Sequence, residues 1–169
     1  MKDDTRTGIR WPAYYRPGNS PVHVKNERFI HAPPEVVWAW LIRARLWPNW
    51  YSNASNLTFL AGGGPDDLAL GTCFRWRTFW IMVQSNVLEF EPSARIAWDA
   101  KGMGVAAYHG WILTASEGGC RVVTEECQHG WGARLLHFFM PRRMSKKHHA
   151  WLAGLAKQAA LGLPAPRPS

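Results

Sequence analysis

The chain has 169 residues, 47% of them hydrophobic, with eleven tryptophans, three cysteines and a formal charge of +8. That length carries one domain with a real core rather than two, and that hydrophobic share excludes general disorder. The positive charge is scattered except at Arg142, Arg143, Lys146 and Lys147, with no basic tail and no nucleic-acid motif. The four therefore read as a solvated helix face, and nucleic acid is not an expected partner. Three cysteines without a CxxC pair, and a start with no apolar segment, suit a reducing cytoplasmic setting. The longest apolar run, residues 36–42, is far too short to span a bilayer, so no integral membrane contact is expected.

In chain order, residues 1–21 are polar and broken by prolines, an extension able to dock through Trp11, Tyr14 and Tyr15. Residues 22–30 have strand length and β-branched content. Pro33 and Pro34 then open a short helix, since proline loses nothing in the first turn and Glu35 complements the helix start. A second helical turn follows at 46–51, interrupted by Pro48. Residues 57–60 form a strand, and 61–67 a glycine-rich loop that could serve as a lid. The period-two pattern through 72–91 needs a turn at 78–80 to stay within ordinary strand length. A short strand at 95–100 precedes a hairpin of 105–115 and 120–129 about Glu117-Gly118. Residues 132–161 are helical, split at Pro141, with Met144, His148, Trp151, Leu155 and Ala159 on one stripe. Residues 163–169 read as a tail, leaving a domain at 22–162.

This order predicts an α+β fold: an antiparallel sheet of about seven strands, two short helices after the first strand, and a long C-terminal helix burying its stripe on the sheet. Ile30-His31-Ala32-Pro33-Pro34-Glu35-Val36-Val37-Trp38, the Trp47-Pro48-Asn49-Trp50 segment, Glu89-Phe90-Glu91-Pro92 with Ile96-Ala97-Trp98, Tyr108-His109-Gly110-Trp111 and the closing Trp151-Leu152-Ala153-Gly154-Leu155 all occur in the expected sequence order. Together they resemble the START-like, SRPBCC or polyketide cyclase/dehydrase superfamily over residues 22–161. The resemblance implies a helix-grip fold with a cavity between a curved sheet and the terminal helix. It carries no family-wide catalytic motif. Trp80 stands where similar proteins often have glycine, and is expected to cap or narrow the pocket mouth.

A two- or four-residue hairpin loop centred on Glu117-Gly118 makes opposed residue numbers sum to 235, so His109 faces Glu126, Trp111 faces Thr124 and Leu113 faces Val122. That face, which includes Gln128, is expected to point inward. His109 and Glu126 are then the candidate polar pair, able to hold the sheet together, to orient a ligand carbonyl or hydroxyl, or to move a proton in an aldol-type cyclisation. Phe74, Trp76, Trp98, Trp111, Thr124 and Gln128 from the sheet, with Met144, His148, Trp151 and Leu155 from the helix, are the expected ligand contacts. His148 and His149 cannot share a helix face, and no His, Cys or carboxylate spacing matches a zinc or iron site. Neither a metal nor a cofactor is expected. The leading reading is binding of a small hydrophobic molecule, aromatic, polyketide-like or lipid-like. A cyclase or dehydrase using His109 and Glu126 is the first alternative. The second is a regulatory protein with a residual cavity whose Arg142–Lys147 face meets an anionic partner. A homodimer is left open.

Overall fold

The computed structural model describes residues 8–62 and 67–166. Seven strands form one antiparallel sheet: β1 (Val22–Ile30), β2 (Ser55–Ala61), β3 (Cys73–Thr78), β4 (Ile81–Glu91), β5 (Arg95–Gly102), β6 (Val105–Ser116) and β7 (Gly119–His129). Their spatial order is β1-β7-β6-β5-β4-β3-β2, a meander in which the first strand closes on the last. Helices α1 (Pro34–Ile42) and α2 (Trp47–Trp50) follow β1, and α3 (Trp131–Phe139) and α4 (Arg143–Ala159) follow β7. The sheet curves around α4 in the helix-grip α+β arrangement. The expected loop at 61–67 falls largely at residues 63–66, outside the described residues.

Proline placement decides the helix boundaries. Pro34 occupies the first turn of α1, while Pro141 separates α3 from α4 because it would clash with the preceding turn and lacks a donor. On α4 the stripe Met144, His148, Trp151, Leu155 and Ala159 is buried, and the helix packs on β1 and α1. Gly154 permits the close approach of α2: a Cβ there would lie 2.9 Å from both Trp50 Cε3 and the Trp50 carbonyl.

Between sheet and α4 lies an aromatic core. Trp47 contacts Phe74, Trp76, Trp98 and Trp151 at ring-centroid distances of 5.1–6.1 Å. Trp151 also meets Trp111 at 5.0 Å and stacks on Tyr51 at 4.4 Å. These rings fill most of the space that the fold would otherwise leave open. The convex face of the sheet is covered too. Ile9, Trp11 and Tyr15 of the N-terminal arm pack on Ala97, Tyr108 and Cys127, and Tyr14 stacks on His129 at 4.0 Å.

Two local features were invisible in the residue pattern. Leu88 is an extra residue in β4, since Val87 pairs with Trp98 and Glu89 with Ala97. This bulge turns Glu89 to the convex face, where it accepts a 2.7 Å hydrogen bond from the Tyr108 hydroxyl and lies 3.0 Å from Arg95 Nε. The second is the backbone of the β3–β4 turn, a turn expected at 78–80, in which Phe79 and Trp80 both have positive φ, 48° and 68°. Two-residue hairpins of this kind normally use Asn-Gly, because bulky residues are strained there. The Phe79 amide is held by Asn53 Oδ1 at 3.1 Å. Trp80 does not cap the pocket. Its ring is exposed and sits 3.4 Å beneath the Arg143 guanidinium, while Phe79 takes the place at the cavity.

Candidate functional site

The β6–β7 hairpin has the two-residue turn Glu117-Gly118, so opposed residues sum to 235: His109 pairs with Glu126, Trp111 with Thr124 and Leu113 with Val122. On the other side Trp98 of β5 pairs with His109. Trp98, His109 and Glu126 thus form one row across the concave face, and His148 descends on it from α4.

The polar groups form a closed network. Glu126 Oε1 accepts from Gln128 Nε2 at 2.6 Å, reached because Gln128 is two residues along the same strand face. Glu126 Oε2 lies 3.1 Å from His148 Nε2 and 3.3 Å from His109 Nδ1. His109 Nε2 lies 2.6 Å from Thr124 Oγ1. The network closes with Thr124 donating to Nε2 of His109 and the N–H groups of Gln128 and His148 donating one to each oxygen of the carboxylate, with His109 Nδ1 close by, so the buried charge is met by donors on both oxygens. Burial works to raise the pKa of Glu126, but the two imidazoles and the Gln128 amide outweigh it and hold it at about 2. Burial lowers His109 to about 3, against the pull of Glu126 and with His148 adding to the depression. At neutral pH this is a carboxylate beside a neutral His109.

The structure brings together three possible metal ligands that sequence spacing did not relate: donor atoms of His109, Glu126 and His148 lie within 4.8 Å of one another. The two imidazoles stack, 4.9 Å apart and 17° from parallel. Both rings turn a nitrogen toward the same carboxylate oxygen, Glu126 Oε2. The arrangement is a polar triad about one carboxylate.

Beside the triad is a cavity of about 40 Å³ measured to the centre of a water-sized sphere, with room for about three waters. His109, Glu126, Gln128, Trp76, Trp98, His148 and Trp151 line it. Of the other expected contacts, Phe74, Trp111 and Leu155 belong to the packed core, Thr124 stands behind His109, and Met144 joins a small cluster with Val22 and Ala133. The sequence reading missed Tyr51, Phe79 and Leu136 in the wall. Tyr51 follows the Trp47–Trp50 turn directly and its burial, which pushes its pKa up, follows from stacking on Trp151. The indole N–H groups of Trp98 and Trp151 and Nδ1 of His148 are buried with no partner among the described residues.

Residues 21–160 match the model of the family described as polyketide cyclase/dehydrase and lipid transport. The chain belongs to that family. A solved structure of a Helicobacter pylori protein, hypothetical protein jhp0584, is 30% identical, with 89% of this chain and 95% of that one covered at a TM-score of 0.81. TTHA0849 from Thermus thermophilus is 19% identical over 83% of this chain and 98% of its own, TM-score 0.69. The Zhui aromatase/cyclase from Streptomyces sp. R1128 is 14% identical over 85% and 99%, TM-score 0.69, a likeness of fold alone. No curated protein matches. Family membership gives a ligand-binding type of fold, and the helices of this chain include none long and apolar enough to cross a membrane among the described residues.

Proposed function

We propose that the protein binds a small, largely apolar molecule carrying a hydrogen-bond acceptor, in the cavity beside Glu126, and that it works in the cytoplasm. The observation that carries this reading is the set of unpartnered polar atoms on cavity residues: the N–H of Trp98, the N–H of Trp151 and Nδ1 of His148. Each buried polar group left unpaired costs about 1–3 kcal/mol. A ligand carbonyl would satisfy an indole donor, and a ligand hydroxyl could also donate to the imidazole. The Glu126 triad supplies a fixed polar floor, while Trp76 and Val83 supply apolar wall. The cavity as it stands fits only a few heavy atoms, so a ring-sized ligand requires Phe79 and Leu136 at its border to swing aside.

A cyclase or dehydrase is the second reading, supported by one observation. His148 keeps one ring nitrogen without a partner, whereas both nitrogens of His109 and both oxygens of Glu126 are engaged. In an enzyme of this architecture His148, positioned by Glu126, is the group able to take a proton, and the His109–Glu126 pair holds it in place.

Native mass spectrometry of protein purified from its own host, with ligand-observed NMR against small phenols and aromatic ketones, tests the binding reading. Binding should be lost in Ala107→Phe, which fills the cavity, with the fold retained by circular dichroism. Binding that survives this change would refute the site. Turnover lost in His148→Ala with binding retained would move the assignment to the enzyme.

A further inference from the structure

Helix α3 presents apolar side chains to solvent. Its inward face is made by Ala133 and Leu136, which contact the small Val22 cluster and the cavity wall. The opposite stripe, Trp131, Leu135, Phe138 and Phe139, follows helical spacing and is exposed, with Phe138 at 78% and Phe139 at 68%. Phe138 and Phe139 meet each other edge to face at 5.2 Å. Two hairpin turns stand at the same end of the molecule. Met103 is exposed beside Gly104, whose carbonyl accepts from the Gly132 amide at 3.0 Å. Trp80 is exposed beneath Arg143, at the start of α4. The backbone conformation that holds Trp80 outward is an unfavourable one for its residue type, and such conformations concentrate at functional sites.

The charge around this stripe has one sign. Arg134, Arg142, Arg143, Lys146 and Lys147 lie within or just after α3, and no Asp or Glu follows Glu126 in the chain. An apolar helical face with tryptophan and phenylalanine, bordered by cations, fits the interface of an anionic bilayer, where rings enter the headgroup boundary and cations meet phosphates. A second copy of the chain fits poorly, because a two-fold contact through this patch would set its cations against themselves. Duplex nucleic acid would use the cations and leave the rings in water.

We propose that α3 and the adjoining turns dock the protein peripherally on an anionic lipid surface. Phe79 and Leu136 border the cavity at this end, so docking would place its mouth on the lipid and let a ligand pass without crossing water. That consequence rests on the binding reading of the cavity; the docking itself does not.

Flotation of the full chain with vesicles tests the proposal. Vesicles of phosphatidylcholine alone are compared with vesicles containing about 30 mol% phosphatidylglycerol. The protein should float with the anionic vesicles and not the neutral ones, and release as salt rises from about 0.05 M to about 0.5 M. Phe138→Ser/Phe139→Ser should weaken partitioning about tenfold or more while the melting temperature stays put, since both rings are exposed. Arg142→Glu/Lys146→Glu should lose the preference for anionic vesicles. Equal flotation of the Phe138→Ser/Phe139→Ser variant and the parent would overturn the proposal. So would absence of flotation combined with a dimer, seen by light scattering, that this variant dissolves. Loss of small-molecule binding in Ala107→Phe with flotation intact would separate the two sites.

Discussion

Replacing Glu126 by glutamine and by leucine separates the work of its hydrogen bonds from that of its volume. Three N–H groups, from Gln128, His148 and His109, face its two oxygens at 2.6, 3.1 and 3.3 Å. Glutamine keeps one oxygen for the two imidazoles, and its amide can donate to Gln128 once that side chain flips its own amide. Glu126→Gln should therefore cost about 1 kcal/mol, the scale of a weakened hydrogen bond. Leucine accepts nothing. Three orphaned donors at about 1–3 kcal/mol each set the upper range, but the imidazoles can relocate their protons, His109 toward Thr124 Oγ1 and His148 to its unpartnered Nδ1. That leaves the Gln128 amide and part of the rest, about 3 kcal/mol in all. For a domain of this length 1 kcal/mol moves the melting temperature by about 2–4 °C, so Glu126→Leu should melt about 6–12 °C lower and Glu126→Gln about 2–4 °C lower. Urea unfolding followed by tryptophan fluorescence, with calorimetry at pH 7, measures both. Equal costs for the two variants, or a neutral leucine, would show that the donors do not depend on this carboxylate.

Acid should destabilise the protein in two stages. The folded-state pKa of His109 lies near 3 against an ordinary 6.5, and that of Glu126 near 2 against 4.5. Both are depressed, so the unfolded chain binds more protons and stability falls with pH, by about 1.4 kcal/mol per pH unit below 6.5 from His109 and by about as much again below 4.5 from Glu126; urea midpoints between pH 7 and 4 that do not move would contradict the buried neutral imidazole. Gly154→Ala should cost about 1–3 kcal/mol, because the new methyl would lie 2.9 Å from the Trp50 carbonyl; an unchanged melting temperature would mean α2 and α4 part easily. Gly110→Val should lift the N-terminal arm, since even a Cβ there would come within 2.6 Å of Ile9 Cδ1. Trypsin would then cut at Arg10 ahead of the domain, and a cleavage order like that of the parent would argue against it.

The hairpin register, the split of the C-terminal helices at Pro141 and the buried stripe of α4 were all legible in the sequence. Each depends on short-range physics: a two-residue Glu117-Gly118 turn fixes which residues oppose, and spacings of three and four fix a helix face. The inward face of β6 and β7 followed from the same period, which is why His109 and Glu126 could be paired before any coordinates. The tertiary structure alone decided the rest. Leu88 bulges because the sheet must bend, and nothing in a strand's alternation marks which residue is extra. His148 meets Glu126, and Tyr51 meets Trp151, through the angle at which α4 crosses the sheet. How much hollow remains depends on the summed volume of interlocking indoles, a property of three-dimensional packing that no one-dimensional pattern of apolar residues encodes.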